Sequence, residues 1–330
     1  MTLRSAISET TKTAERQRFR RFLLCWFDLH KRDLPWRRDR DPYRVWLSEI
    51  MLQQTRVKAV TDYYEKFLRR FPTIETLASA PEAAVLAAWS GLGYYRRARM
   101  LHAAAKQIVR EYSGEFPKTA EDLRALPGIG RYTAAAIASI AFNQPVAVVD
   151  GNVERVLQRM HGRNLAGEAL WRAATEFLAP RRPGDFNQAM MELGATVCLA
   201  QQPRCLLCPV SKLCATRGNL CVAGKGTRQT KREIHYVFAC RNHSIFLVRR
   251  SKSSTLMPGM WELPEITASN GTTPAWLTLR HSITVTDYRV RVVQGSPPAE
   301  AAGRWVRKSQ LTALPLTGLA RKILRAAKVI

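Results

Sequence analysis

Four cysteines stand close together, Cys198, Cys205, Cys208 and Cys214, with the spacing C-x6-C-x2-C-x5-C. Four thiolates at such separations can surround one zinc ion or one iron–sulfur cluster. Structural zinc is usually held by two C-x2-C pairs, and here there is one short pair with longer arms on both sides. The longer arms favour the bulkier [4Fe–4S] cluster. Arg204, Lys212 and Arg217 lie in or beside this loop, so it would sit well against a phosphate backbone. The remaining cysteines, Cys25, Cys221 and Cys240, have no partners at such spacing and read as small apolar residues. Seven cysteines in 330 residues are not the dense, even set of a small secreted domain, so a reducing cytoplasm is expected, close to the nucleoid in a bacterium.

Two acidic residues occupy positions where a carboxyl could do chemistry. Glu49 borders an apolar stripe of Tyr43, Trp46, Leu47, Ile50 and Met51 at i, i+3, i+4, i+7 and i+8. With Gln53 and Arg56 it shares a helical face at i, i+4 and i+7. Desolvated against that stripe, Glu49 would keep its proton and serve as a general acid; a solvent-facing glutamate at the edge of the stripe is an equal reading. Asp150 ends the apolar run Val146-Ala-Val-Val-Asp150. It could cap the helix that begins after it, or stand as a carboxylate at the floor of a pocket.

These groups need elements to hold them. Asp41 followed by Pro42 is a helix start. Thr119 with Asp122 three residues on is a variant of the capping box. Leu126-Pro-Gly128-Ile-Gly130-Arg-Tyr132-Thr punctuates two helices, and the second is rich in small residues that allow close packing. A helix–hairpin–helix over about 119–142 would turn backbone N–H groups outward, where they bind phosphate without reading sequence. A plain turn between helices would give the same punctuation. Ala80–Trp89, Ala98–Tyr112 and Tyr132–Phe142 read as helices. From Val222 to Arg232 the chain is polar and basic, and beyond it Ile234–Ala239, Ser244–Val248 and Ile283–Val293 read as strands, with a final helix over Gly318–Lys328. The expected architecture is mainly α, with a helical domain at 1–220, a linker at 221–233 and a small α+β domain at 234–330.

The chain carries 52 Lys and Arg against 26 Asp and Glu, a net charge of +26. That balance suits a polyanionic partner, nucleic acid before an anionic membrane surface. Half of the charge, +13, falls on residues 221–330, which are about twice as basic per residue as the rest. No stretch reads as a membrane span: Phe22–Phe27 is short and leads into Asp28, His30 and Lys31. The N-terminus lacks the apolar region of a signal peptide.

Together, LPWRRDRDPYRVWLSEIMLQQTRV, WSGLGYYRRAR, LPGIGRYTAAAI, VVDGNVERVL, FNQAMMELGA and the cysteine run resemble the MutY family of adenine DNA glycosylases. That family belongs to the helix–hairpin–helix base-excision superfamily, and the resemblance covers residues of about 20 to 217. It implies a monomeric enzyme that binds double-stranded DNA carrying A:8-oxoguanine or A:G mispairs and hydrolyses out the adenine. By motif, Glu49 would protonate the adenine and Asp150 would stabilise the sugar cation, supported by Tyr132 and Asn152. Arg32, Leu34, Trp36, Arg37, Leu52, Gln53 and Gln188 would line or border the base pocket. Gln54 and Tyr94 would enter the duplex, and Gly128 and Gly130 would form the phosphate-binding hairpin. The cysteines would hold the [4Fe–4S] cluster.

The chemistry implied is coherent. Adenine leaves poorly until a ring nitrogen is protonated, and the sugar cation then needs a fixed negative charge nearby. The base must first leave the stack. Bifunctional relatives of the endonuclease III branch carry a lysine in the hairpin helix, in a pattern like GVGRKTA, as a Schiff-base nucleophile. Tyr132 occupies that position and cannot form an imine, which argues against a glycosylase/lyase. A non-catalytic iron–sulfur DNA-binding protein would not need Glu49 and Asp150 together. The C-terminal domain resembles a Nudix-like module through Leu256-Met-Pro-Gly-Met-Trp-Glu-Leu-Pro264, without the REx2EE carboxylates of a pyrophosphatase. The family's H-x-F-S-H reader of 8-oxoguanine is replaced by His281-Ser-Ile283-Thr284-Val285, in which Thr284 keeps a hydroxyl.

Overall fold

A computed structural model describes residues 3–217, 230–267, 274–283 and 285–330. Helices dominate the first two thirds: α1 (Leu3–His30), α2 (Pro42–Leu52), α3 (Val57–Arg70), α4 (Ile74–Ser79), α5 (Glu82–Trp89), α6 (Arg96–Tyr112), α7 (Ala120–Leu123), α8 (Arg131–Phe142), α9 (Gly151–His161), α10 (Gly167–Phe177) and α11 (Pro183–Thr196). Strands follow: β1 (Thr230–Phe238), β2 (Cys240–Arg241), β3 (Ser244–Arg249), β4 (Trp261–Glu262), β5 (Glu265–Ile266), β6 (Leu277–Ile283), β7 (Thr286–Gln294) and β8 (Gly303–Arg307), with a closing helix α12 (Gly318–Ala326). No helix among the described residues is long and apolar enough to cross a membrane.

The chain forms two compact units, each assembled from two separate stretches. One contains Met1–Gln54 and Gln107–Gly224, and the other Thr55–Lys106 and Lys225–Ile330. This corrects a simple division near residue 220. The physical reason is hydrogen bonding in the second unit: Ser90 and Tyr95 both donate to the backbone oxygen of Leu316, and Arg99 Nη2 donates to Pro258 O at 2.6 Å. The linker is also shorter than expected, because β1 already begins at Thr230; residues 221–229 lie outside the described ones.

In the first unit, α1 buries Phe19, Leu23 and Phe27, one turn apart. The Phe19 ring meets Phe177 of α10 at 4.7 Å and Phe186 of α11 at 6.2 Å. The small residues of α8 allow close approach on several sides, and Ala134, Ala135, Ala136, Ala138 and Ser139 are all buried. At Gly184 of α11, an added Cβ would lie 2.5 Å from Ser139 O and 2.8 Å from Ile140 Cα, so this crossing requires glycine.

In the second unit, Phe67 of α3 packs edge-on against Trp89 of α5 at 5.9 Å. One sheet has the order β5-β1-β7-β6, with β1 and β7 parallel and the outer pairs antiparallel; in the other, β3 pairs antiparallel with β2, β4 and β8. Alternate residues of β1 and β7, including Tyr236, Phe238, Val290 and Val292, join Ile323 and Leu324 of α12 in one core. The stretch Ile283–Val293, read as one strand, holds the end of β6 and most of β7, and Ile283 pairs with Thr286 across an antiparallel hairpin. The residues at this point, Ile283, Thr284, Val285 and Thr286, are all β-prone, so composition alone does not mark the turn, although the inward-facing positions change from odd in β6 to even in β7.

Candidate active site

Helix α2 brings Glu49 into the interior. Asp41 caps it by accepting from Arg44 N, and Pro42 fills the first position. The sequence predicted a one-sided stripe, whereas eight of its eleven residues are buried, Ser48 and Glu49 among them. Glu49 is only 7% exposed. Burial pushes its carboxyl up to about 7, and the negative charge of Asp150 acts the same way. A hydrogen bond from Tyr132 and the positive charge of Arg37 pull in the other direction. Burial prevails, and this decides between the two readings of Glu49.

Tyr132 sits on α8, where its hydroxyl donates to Glu49 Oε2 at 2.6 Å. The resemblance places this side chain in support of Asp150; its hydroxyl bonds to Glu49, and the charge of Asp150 also acts on it. Burial, with the negative charge of Glu49 second, raises the phenol well above its ordinary value, so it stays protonated and acts as a donor.

Asp150 is the N-cap of α9. Its Oδ1 accepts from Asn152 N at 2.9 Å and Val153 N at 2.7 Å, and its Oδ2 from Asn152 Nδ2 at 2.9 Å. The capping reading is therefore correct as geometry. The cap also fixes the carboxylate within reach of the field at Glu49. Gly194 of α11 makes this possible, since a Cβ there would lie 2.6 Å from Asn152 Cβ. Asn187, also on α11, holds the strand leading to Asp150: Nδ2 donates to Val146 O at 2.8 Å and Oδ1 accepts from Val148 N at 3.3 Å.

Most other expected residues belong to the same unit. Leu34 and Trp36 are buried at the short 3-10 turn Pro35–Arg37. Arg32 is committed to a two-pronged contact with Glu192, at 2.6 and 2.7 Å, and Arg37 reaches the same carboxylate at 2.9 Å. Burial alone would raise the pKa of Glu192, but the two guanidiniums overcome it and lower it. Leu52 and Gln188 are half-buried, and Gln53 Nε2 donates to Thr133 Oγ1 at 3.3 Å. Arg56 does not share the face of Glu49, because α2 ends at Leu52 and Arg56 caps α3. Gln54 is exposed with φ of 55°, and in the second unit Tyr94 is 49% exposed with φ of 49°. Both hold the left-handed region that non-glycine residues rarely occupy, at a cost in backbone strain. In the hairpin Gly128 has φ of 74°, which only glycine adopts freely. Gly130 is different. It caps α8 at φ of −85°, and an added Cβ would meet nothing within 4 Å, so its backbone is open to approach. Thr284 lies outside the described residues.

The four cysteines line one cavity with Arg159, Pro203, Arg204 and Arg217. No three His, Cys, Asp or Glu side chains among the described residues converge as ligands of a single metal ion. Burial pushes the Cys208 thiol up to about 11, and neighbouring cysteines add to it, so these thiols oppose one another's ionisation. Arg159, nearly fully buried, knits the loop by donating to Cys198 Sγ, Leu199 O and Ala200 O. Arg155 joins Cys198 O at 2.8 Å to Asn152 Oδ1 at 2.8 Å and Gly194 O at 2.7 Å. Arg155, Arg159, Asn187, Glu192 and Gly194 were not singled out from sequence. For Arg155 and Arg159 the signal would have been their i+3 and i+7 spacing from Asn152 on α9, and for Gly194 its i+7 spacing from Asn187 on α11; Glu192 shares neither pattern.

Residues 47–178 match the family described as HhH-GPD superfamily base excision DNA repair protein. The chain is 52% identical over 219 residues to the adenine DNA glycosylase of Homo sapiens, covering 62% of this chain and 40% of that protein. To the adenine DNA glycosylase of Schizosaccharomyces pombe it is 34% identical over 322 residues, covering 76% of this chain and 70% of that one. It spans about two fifths of the length of the mammalian relatives. Among solved structures, a thermostable thymine-DNA glycosylase superposes with a TM-score of 0.59 at 31% identity, over 63% of this chain and 98% of that one. An endonuclease III–DNA complex superposes with 0.53 at 23% identity, over 62% and 97%, a likeness of fold alone. With its hairpin, its buried glutamate and an alignment running through most of the S. pombe protein, the chain belongs to the adenine DNA glycosylase family of the helix–hairpin–helix superfamily.

Proposed function

We propose that this protein is a monofunctional DNA glycosylase that flips adenine out of a mispair with 8-oxoguanine or guanine and hydrolyses its N-glycosidic bond. The observation that carries this reading is the contrast between two carboxyl groups: Glu49 is buried and held protonated to about pH 7, while Asp150 is fixed by three hydrogen-bond donors. Glu49 would donate a proton to a ring nitrogen of the flipped adenine. The C1′–N9 bond then breaks with its electron pair on the base, and Asp150 stabilises the positive charge at the sugar. Water adds at C1′, and the proton it releases restores Glu49. Tyr132 offers no amine for a Schiff base, so strand cleavage is not part of this chemistry.

Gln54 and Tyr94, strained and exposed, are the side chains proposed to enter the duplex. The approachable amide at Gly130 and the cationic cysteine loop would hold phosphates. Net charge of +26 predicts binding to DNA that weakens steeply with salt. Discrimination of 8-oxoguanine is assigned to the region of His281 and Thr284.

Cys198, Cys205, Cys208 and Cys214 would hold a [4Fe–4S] cluster. Their spacing and their shared cavity support this reading. Such a cluster supplies a rigid, positively charged core that stabilises four thiolates and can exchange an electron. Purified protein is expected to contain iron and acid-labile sulfide in equal amounts; stoichiometric zinc instead would overturn this assignment.

The functional test is a duplex with one A:8-oxoguanine pair, followed by alkali to reveal abasic sites. Breaks appearing only after alkali, and lost in Glu49→Gln, are expected. Breaks without alkali would favour the endonuclease III-like reading. Full activity in Glu49→Gln would refute the mechanism.

A further inference from the structure

The turn that carries Tyr94 is tied to the C-terminal part of its own unit through one backbone carbonyl. Leu316 O accepts from Ser90 Oγ at 2.6 Å and from Tyr95 OH at 3.3 Å. Arg321 Nε donates to Ser90 Oγ at 3.1 Å, Gly91 N to Tyr95 OH at 3.2 Å, and Tyr63 OH to Ser90 O at 2.9 Å. Ser90 and Tyr95 are almost fully buried, so each of these bonds is shielded from water.

The anchor is itself rigid. Leu316 immediately precedes Thr317, the buried N-cap of α12, whose side chain accepts from Ala320 N. Thr317 N donates to Trp261 O, and Trp261 N to Pro315 O, both at 2.9 Å. The segment therefore adds a short parallel bridge to β4.

What the anchor holds is strained. Gly91 has φ of 108°, Gly93 of 74° and Tyr94 of 49°. A Cβ at Gly91 would lie 2.1 Å from Tyr63 OH, so the turn passes that hydroxyl only as glycine. Gly93 O accepts from Trp89 Nε1 and Arg97 Nη2, and the Arg97 guanidinium lies 5.6 Å from the Tyr94 ring. Both ends of the turn are thus bonded, and the exposed residue between them is the one in an unfavourable backbone conformation.

We propose that Ser90, Tyr95 and Arg321 are positioning residues that clamp this turn onto the Leu316 carbonyl and hold Tyr94 outward, ready to enter a duplex. This rests on the reading of Tyr94 as an inserted side chain. The clamp meets the ordering cost of the turn in the free protein, so none of it is charged against binding. Residues 314–321 of the sheet domain then influence how the mispair is opened, independently of any base they read.

Tyr95→Phe and Ser90→Ala each remove one hydroxyl and keep the buried shape. Hydrogen exchange of the 90–96 amides reads the clamp directly and needs no catalysis. About tenfold or more faster exchange is expected, because each hydroxyl makes two of these hydrogen bonds. Fluorescence of 2-aminopurine placed beside an A:8-oxoguanine pair reads duplex opening, and its rise on binding should fall by a similar factor. In a Tyr94→Ala background the same substitutions should cause no further fluorescence loss. Unchanged exchange in both variants would overturn the clamp, and so would an undiminished fluorescence effect without Tyr94. If the unmodified protein leaves adenine in place, the proposed activity falls, and the exchange measurement still decides the clamp.

Discussion

The Tyr132 hydroxyl donates to Glu49 at 2.6 Å, and this single bond works against the burial that keeps Glu49 protonated. Tyr132 is thus a brake on the acidity shift, and the pKa of about 7 is the balance of the two.

Removing the brake should shift the balance. In Tyr132→Phe the carboxyl loses its donor, and its pKa should rise further. Because the acid acts in its protonated form, the alkaline limb of the single-turnover excision rate is expected to move to higher pH. A limb that stays in place or moves down would contradict the role given to this bond.

Glu49 should also cost stability. Its folded pKa lies above the unfolded value of 4.5. At low pH both states carry the proton; as pH rises from 4.5 to about 7 the unfolded state loses its proton and the folded state keeps it. Stability should therefore fall through that window, by about 3 kcal/mol once pH exceeds 7. Glu49→Gln is expected to be inactive, as stable as the parent in acid, and more stable above about pH 8. Denaturant midpoints at the two pH values check this, and a constant difference would sink it.

Asp150→Asn separates charge from capping. Asparagine is as good an N-cap as aspartate, so α9 should keep its start and the melting temperature should change little. The fixed negative charge is gone, however, and excision should slow by about a hundredfold or more. A variant that melts early would mean that the carboxylate serves the fold, and a rate near the parent's would mean that it serves only the fold.

Two glycines make a contrasting pair. Gly194→Ala forces a methyl against Asn152 and should destabilise by about 1–3 kcal/mol, displacing the Asp150 cap and lowering the excision rate with it. Gly130→Ala meets open space at an ordinary φ, so stability should be kept. The added methyl would instead stand beside the proposed phosphate site and weaken duplex binding. Melting curves and binding anisotropy together should show opposite patterns for the two.

The features easiest to find in the sequence were local. Asp41-Pro42 and Thr119 cap helices because the signal and the structure lie within one turn of each other. The cysteine cavity followed from spacing in the same way. The state of Glu49 could not be read, because it depends on α2 being enclosed on nearly every side, and those neighbours come from distant parts of the chain. Glu192 illustrates the same limit: its partners Arg32 and Arg37 are more than 150 positions away. The turn between β6 and β7 escaped because β-prone residues run on through it and no Gly, Pro or Asn marks it. The division into units was misread because the Ser90 and Tyr95 hydroxyls find Leu316 only in the folded chain.

The discontinuity of the second unit has a consequence for how the protein is made. Residues 55–106 leave the ribosome long before residues 225–330, and Ser90 and Leu316 are 226 positions apart. At ordinary rates of synthesis the nascent helices wait about 10–45 s for the carbonyl that completes their hydrogen bonding. During that interval Ser90 and Tyr95 lack their acceptor, which makes this stretch the natural place for a chaperone to bind and for a misfolded chain to begin.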